Sequence, residues 1–317
     1  MTTTLIKGHL NQLLTNFSVG TAKNLDQSLI GEIVAPVQMV SNISDSYVIF
    51  GEEDLRLERS YYSDLAQIAR VKWTESASDF TCKEHALESD ISWARMKNAD
   101  GALRLERRHT IGLARKLKLE REKAVADKLF NVTTFTGKTA ALAAADRWNV
   151  DTSSPVSKIS DKKETIRIAS GIEPNTLVIG GAVWAGLRNH PDITSRVAGL
   201  VAGTPATEAQ AAAALGLDRI VVGRAIYNSA TESNTASHAA VWGKYALLCY
   251  VDPISGGDVE GLITPATTFV CDVAGAPFST FTYEEERSRA HIIQCYDCYT
   301  VESIALVAGY LLSTVVD

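Results

Sequence analysis

Apolar and polar positions along the chain follow three textures, and each predicts a different kind of element. Residues 1 to about 40 show no sustained period, and Gly20, Gly31 and Pro36 interrupt what apolar pattern exists, so an arm is expected there that buries little of itself. From Tyr47 the period becomes two. Tyr47-Val-Ile-Phe50 and Leu55 and Leu57, alternating with Arg56 and Glu58, form one arm of a hairpin; Ala69, Val71 and Trp73, alternating with Arg70, Lys72 and Thr74, form the other. An isolated two-stranded ribbon is marginal in water, so this one needs a partner surface or a place at the edge of an ordinary sheet.

The third texture is helical and runs from about Asn98 to Asn131 without proline. On a wheel of 3.6 residues per turn, Leu103, Leu113, Ala114, Leu117, Ala124 and Val125 share one third of the circumference, with Arg104, Arg108, Arg115, Glu122 and Lys123 elsewhere. Some 30 residues at 1.5 Å each give a spine of about 45 Å, longer than an ordinary compact domain is wide. Glu120, Lys123 and Asp127 have the spacing of charge pairs on its wet side. Beyond it, Ser154 and Pro155 open a helix over Val156 to Gly171, Thr176 to Gly180 reads as a buried strand, and Ala182 to Asn189 as a helix. A helix from Thr204-Pro205 to Gly216 and a strand over Arg219 to Gly223 follow. Strands alternating with helices indicate a small α/β unit. The remainder, Lys244 to Val251, Thr267 to Asp272, Ser279 to Tyr283, His291 to Tyr296 and Ser303 to Val315, returns to β-branched and aromatic runs.

Composition and charge narrow the function. A content of 46% apolar and 21% charged residues is that of a globular protein able to bury a core. No run approaches 18 apolar residues, and Met1-Thr-Thr-Thr-Leu-Ile-Lys-Gly8 lacks the order of a secretory signal, so no membrane association and a cytosolic site of synthesis are expected. The net charge of -6 argues against a sequence-specific reader of duplex DNA but is compatible with a container for it. Cys82, Cys249, Cys271, Cys295 and Cys298 are too scattered for a disulfide framework and are expected as free thiols.

Candidate chemistry is sparse. Cys295 and Cys298, with His291 before them, have metal-like spacing, yet a structural zinc needs four ligands, and on a strand two residues three apart point to opposite faces. His85 and Glu88 would share a helical face, again too few for a metal. Glu52-Glu53-Asp54 and Glu284-Glu285-Glu286 read as solvated acids, and Trp148, Trp184 and Trp242 as core anchors. Gly180-Gly181 lacks a dinucleotide fingerprint, and neither a phosphate-binding loop nor a hydrolase or kinase motif occurs. No enzyme activity and no cofactor or metal are expected.

The succession is more informative than any motif: Phe80-Thr-Cys-Lys-Glu-His-Ala-Leu-Glu88, the spine with Leu105-Glu106 and Leu119-Glu-Arg-Glu122, Trp148, Ser154-Pro155-Val156, and Glu173-Pro-Asn-Thr-Leu-Val-Ile-Gly180 with Trp184 and Leu187. From about residue 40 to 317 this order resembles the major capsid proteins of tailed bacteriophages, whose architecture is called the Hong Kong ninety-seven type. The resemblance implies an α+β phage major capsid fold: an N-terminal arm (1–40), an extended hairpin loop (41–92), a peripheral domain with the spine helix (93–170 and 265–317) and an axial α/β domain (171–264). It implies a structural protein that assembles with itself, through pentamers and hexamers, into an icosahedral shell around double-stranded DNA. Further implied partners are a separate scaffold protein, a portal and a decoration protein. The place is the virion, assembled in the host bacterial cytoplasm. Because the loop lies over the adjacent subunit in that family, Leu55, Leu57, Val71 and Trp73, with Arg56 and Arg59, are the candidates for contact between subunits. An encapsulin-like nanocompartment shell is the alternative within the same fold, and a cytosolic α/β enzyme the alternative outside it.

Overall fold

The computed structural model describes residues 9–10, 14–16, 18, 29–50, 57, 60–61, 68, 70, 75–98, 102–197, 204–231, 234–252, 264–272 and 277–317. Its spine is a helix, α3 (Ala102–Leu129), of 28 residues, about 42 Å long. It begins later than the pattern suggested, because Trp93–Asn98 forms a separate short helix, α2. Leu113, Ala114, Leu117 and Val125 are buried as the wheel requires, and Ala124 is half-buried. Of the expected charge pairs, Lys123 reaches Asp127 at 2.7 Å, whereas Glu120 meets His85 at 3.1 Å instead.

A sheet lies against the spine, and its centre is the long strand β14 (Ala290–Ser303). One edge of β14 pairs antiparallel with β5 (Lys83–Ser92) from Ala290 to Tyr299. The other edge pairs first with β13 (Ser279–Glu285) and then with β12 (Ala266–Cys271). The two-residue strand β1 (His9–Leu10) joins β13, and β2 (Val37–Val40) runs parallel to β12. Alternation along β14 sorts its side chains: Ile293 and Cys295 pack with Leu113 and Leu117 of the spine, while Cys298 packs on the far side with Phe80 and Phe269. The thiols of Cys295 and Cys298 therefore face different cores. His85 and Glu88, weighed above as neighbours on a helix, lie on β5 and point to opposite faces as well.

The second sheet runs in the order β6 (Thr139–Ala141), β15 (Gly309–Ser313), β11 (Ala246–Cys249), β7 (Thr176–Gly180), β8 (Arg219–Gly223). Strands β7 and β8 are parallel, and both read as continuous apolar runs because helices cover them: α4 (Pro155–Ser170), α5 (Gly181–Leu187), α6 (Pro191–Thr194) and α7 (Glu208–Leu215). Gly171 ends α4 and Gly216 ends α7, each in the left-handed region. Ser154 does not cap α4 as expected; its hydroxyl donates to Asp192 at 3.1 Å, and the same carboxylate accepts from Val156 N–H. Helix α7 starts not at Thr204 but after Thr207, which forms a capping box with Gln210. Strands β6 and β15 and helix α4 lie outside 171–264, so those boundaries cut through one sheet and its core.

The root of the long hairpin is β3 (Ser44–Phe50) paired with β4 (Glu75–Thr81), so the returning strand starts one residue after Thr74. A smaller hairpin joins β9 (Ile226–Asn228) to β10 (His238–Ala240). The N-terminal region buries more than its pattern suggested. Leu14 is buried, and so are Ile30, Val34 and Ala35 around a short helix, α1 (Gly31–Val34), which packs on the spine. Among the described residues no helix is long and apolar enough to cross a membrane.

Candidate functional site

Charged residues of the spine tie the N-terminal segment, the sheet around β14 and the β10–β11 connection together at one node. Glu122 is 4% exposed, although the wheel placed it on the wet side. Its Oε1 accepts from Ile30 N–H at 2.8 Å and from Trp242 Nε1–H at 2.6 Å, and its Oε2 accepts from Gly31 N–H at 2.7 Å. Two of the unpaired N–H groups at the start of α1 are thus satisfied by a carboxylate, whose charge also suits the positive end of a helix. Burial pushes the Glu122 carboxyl above the usual range, and the three donors hold part of that shift back. Glycine is required at position 31, since a Cβ there would stand 2.6 Å from Glu122 Oε2. Gly223 plays the same part under Trp242, whose ring would lie 2.2 Å from an added Cβ.

One residue earlier on the spine, Arg121 makes a buried fork with Asp297 of β14, Nε to Oδ2 at 3.1 Å and Nη2 to Oδ1 at 2.5 Å. Its guanidinium lies over the rings of Phe278 and Tyr299, at 4.7 and 5.1 Å from their centres. Glu32 of α1 approaches Lys118 at 3.5 Å and Arg121 at 3.7 Å. A cavity of about 330 Å³ opens beside these groups, lined by Leu29, Ile33, Val125 and Thr268 among others. The arrangement is a clamp: ionic and hydrogen-bonded contacts hold residues 29–35 against the spine. Among the described residues no cluster of three or more His, Cys, Asp or Glu could hold a metal ion.

The hairpin is rooted separately. Phe80 stacks on Phe269 with ring centres 4.4 Å apart, Tyr47 tilts against Phe269 at 5.5 Å, and the Tyr47 hydroxyl donates to the Ser303 carbonyl at 3.2 Å. Cys82, Cys271 and Cys298 complete this small core. Burial pushes the Cys298 thiol up to about 12, as it does for Cys249 and Cys295, so these are neutral packing groups and not nucleophiles.

This combination of a long spine, a sheet against it, a second α/β sheet and a rooted hairpin has known counterparts. No family model matches the chain. It is 26% identical over 306 residues to a major capsid protein of Burkholderia phage BcepMu, covering 96% of each chain. In structure it is similar to a phage-related protein of Bordetella bronchiseptica (TM-score 0.77, 23% identity, 97% of this chain and 98% of the other). It is also similar to the capsid structure of cyanophage P-SCSP1u (TM-score 0.60, 12% identity, 90% and 87%).

The chain has the phage capsid fold and resembles tailed-phage major capsid proteins. Within that capsid fold, the residues named from sequence as subunit contacts are reached unevenly. Leu57 is described and 98% exposed, with Tyr61 and Ile68 of the same loop also exposed. Leu55, Arg56, Arg59, Val71 and Trp73 lie outside the described residues. The clamp residues Arg121, Glu122, Trp242 and Asp297 were not singled out as a site. The signal that could have raised them is a pair of adjacent opposite charges, Arg121 and Glu122, in the half of the spine where the apolar stripe broadens.

Proposed function

We propose that the chain is the major capsid protein of a tailed bacteriophage, which assembles with itself through pentamers and hexamers into an icosahedral shell enclosing double-stranded DNA. The observation that carries this reading is the match along nearly the whole length of both chains to a protein named major capsid protein, together with the capsid fold. The geometry supports it further. Phe80 and Tyr47 fix the root of the hairpin in its own core, while Leu57 beyond that root is left without cover, as a surface meant for another subunit would be. Leu55, Leu57, Val71 and Trp73, with Arg56 and Arg59, are the contact residues in this proposal.

In domain terms the peripheral part is the spine with the sheet around β14, and the axial part is the sheet around β11 with α4 to α7. Its partners are further copies of itself, a separate scaffold protein, a portal and a decoration protein, and its place is the virion, built in the bacterial cytoplasm. The scaffold is placed in trans in this proposal because residues 1–40 sustain no heptad of the kind a coiled-coil scaffolding segment would need. Electron microscopy and light scattering of the overexpressed full chain, with and without its scaffold, test the reading. Closed shells are the expected product; monomers under every condition would refute it.

A further inference from the structure

The net charge of the chain conceals a sharp division between the two sides of its spine-and-sheet layer. Between Arg104 and Lys116, every exposed charged side chain of α3 is a cation: Arg104, Arg107, Arg108, Arg115 and Lys116. Glu106, in the same stretch, is half-buried and turned to His291. Arg95 and Lys97 of α2, just before the row in the chain, are exposed too, and the His109 imidazole on the spine is pushed down by burial first and then by the charges of Arg95 and Arg108. On the helical wheel Arg104, Arg108 and Arg115 lie opposite Leu113, Ala114 and Leu117, which pack on the sheet, and Arg107 and Lys116 flank them.

The opposite face of that sheet is acidic. Glu84, Glu88 and Asp90 alternate along β5 on the side remote from the spine and are exposed, and Glu285 of β13 joins them. Glu88 accepts from Gln294 at 2.8 Å and from the Tyr283 hydroxyl at 3.4 Å, and the charges of Glu88 and Glu285 help to raise the Tyr283 hydroxyl after burial has done so. One side of the layer is a row of guanidinium groups and the other a row of carboxylates.

We propose that the exposed basic row of α3 is a contact surface for the phosphates of duplex DNA, and that it faces the lumen of the shell while the acidic sheet face is turned away from it. The inference deepens the capsid reading and rests on it. Four of the five cations are arginines, whose planar fork suits phosphate oxygens. The row from Arg104 to Arg115 spans about 16 Å along the helix, a length over which a duplex presents about nine charges. It carries no base-reading device, so the contact is independent of sequence.

Two measurements on the full chain test this. Unassembled subunits are titrated with a labelled 30-base-pair duplex of arbitrary sequence at 50 to 200 mM salt. Five neutralised phosphates make affinity fall by roughly several hundred-fold across that range, and R104Q/R108Q/R115Q should reduce the fall to about tenfold. The E84Q/E88Q/D90N variant should leave it steep. An unchanged salt dependence in the arginine variant overturns the proposal, and so does displacement of the duplex by a lower charge concentration of polyglutamate, which would identify an acidic protein as the partner.

For orientation, R108C supplies an accessible thiol in a chain whose own five cysteines are buried. A 5-kDa maleimide polymer should label it in free subunits and not in closed shells. Equal labelling in both overturns the lumenal placement. Failure to form shells at all sinks the capsid reading, while the duplex titration on free subunits still decides the basic face.

Discussion

Replacing Glu122 by alanine separates the clamp from the rest of the fold. The change strips the acceptor from three donors, Ile30 N–H, Gly31 N–H and Trp242 Nε1–H, all on buried residues. An unsatisfied buried donor costs about 1–3 kcal/mol, and breaking a buried charged contact about 3–5 kcal/mol in all, so E122A should lose about 3–5 kcal/mol. For a 317-residue chain this corresponds to a fall in Tm of about 5–8 °C, from an unfolding entropy of about 2 cal/mol/K per residue. E122Q should fall between, because its amide oxygen can still accept while its NH₂ would confront a donor. The pH dependence has a definite sign. With the folded carboxyl raised above its unfolded value, Glu122 contributes stability that is fully present below the unfolded pKa and is lost as pH rises through the folded one. The difference between wild type and E122Q should therefore shrink upward through that window and level off above it. Thermal unfolding of subunits gives the magnitude, and amide exchange gives the location: residues 29–35 should exchange faster in E122A, with β7 and β11 unaffected. Equal stability of E122A and wild type, or faster exchange spread over the whole chain, would refute the clamp.

Four further outcomes follow from the geometry. Arg121→Met or Asp297→Ala alone should cost about 3–5 kcal/mol by leaving one buried charge uncompensated, whereas the double apolar replacement R121M/D297L should restore most of it, measured by chemical denaturation. Deleting Gly51 to Thr74 and bridging Phe50 to Glu75 with a short Gly/Ser linker keeps the rooted strand pairs; it should give a soluble, cooperatively unfolding subunit that forms no shells, and normal shells would exclude the loop as a clasp. Ellman's reagent at pH 8 should find no reactive thiol in the native subunit and five after denaturation, since every cysteine is buried. Mature particles should run at one monomer mass on denaturing gels, because residues 24–71, which include the loop tip, hold no lysine to form an amide cross-link to the next subunit; ladders resistant to boiling, through Lys72 of the returning arm for instance, would contradict this.

What the sequence made legible depended on whether local pattern or distant pairing decides the element. The spine, β7, β8 and the end of α4 at Gly171 are visible because periodicity, apolar runs and a left-handed glycine are local signals. Helix α7 could have been placed correctly from Thr207 and Gln210, a capping pair three apart that outweighs the earlier Thr204-Pro205. Membership of β6 and β15 in the sheet of β7 could not, because pairing across 60 to 172 residues leaves no trace in either strand alone. Ser154 was drawn from its cap by Asp192, a tertiary contact overriding a local preference.

Glu122 and the basic row fail to show for a shared reason: a helical wheel assumes one environment along the whole length, and a net charge assumes one environment over the whole surface. In its first half α3 touches the sheet on one side only, so Arg104, Arg108 and Arg115 remain in water. In its second half α1 and Trp242 close over a further side, and a position in phase with Arg104 on the wheel becomes the buried site of Glu122. The cost of burying that carboxylate is offset only because the closing elements bring three N–H donors with them. The overall charge of -6 is likewise a sum over two opposed faces, the cations of α3 and the acids of β5. For contact with a polyanion the distribution is the governing quantity, since phosphates within a Debye length, about 8 Å at physiological salt, sense the row of arginines and little of the acids beyond the layer.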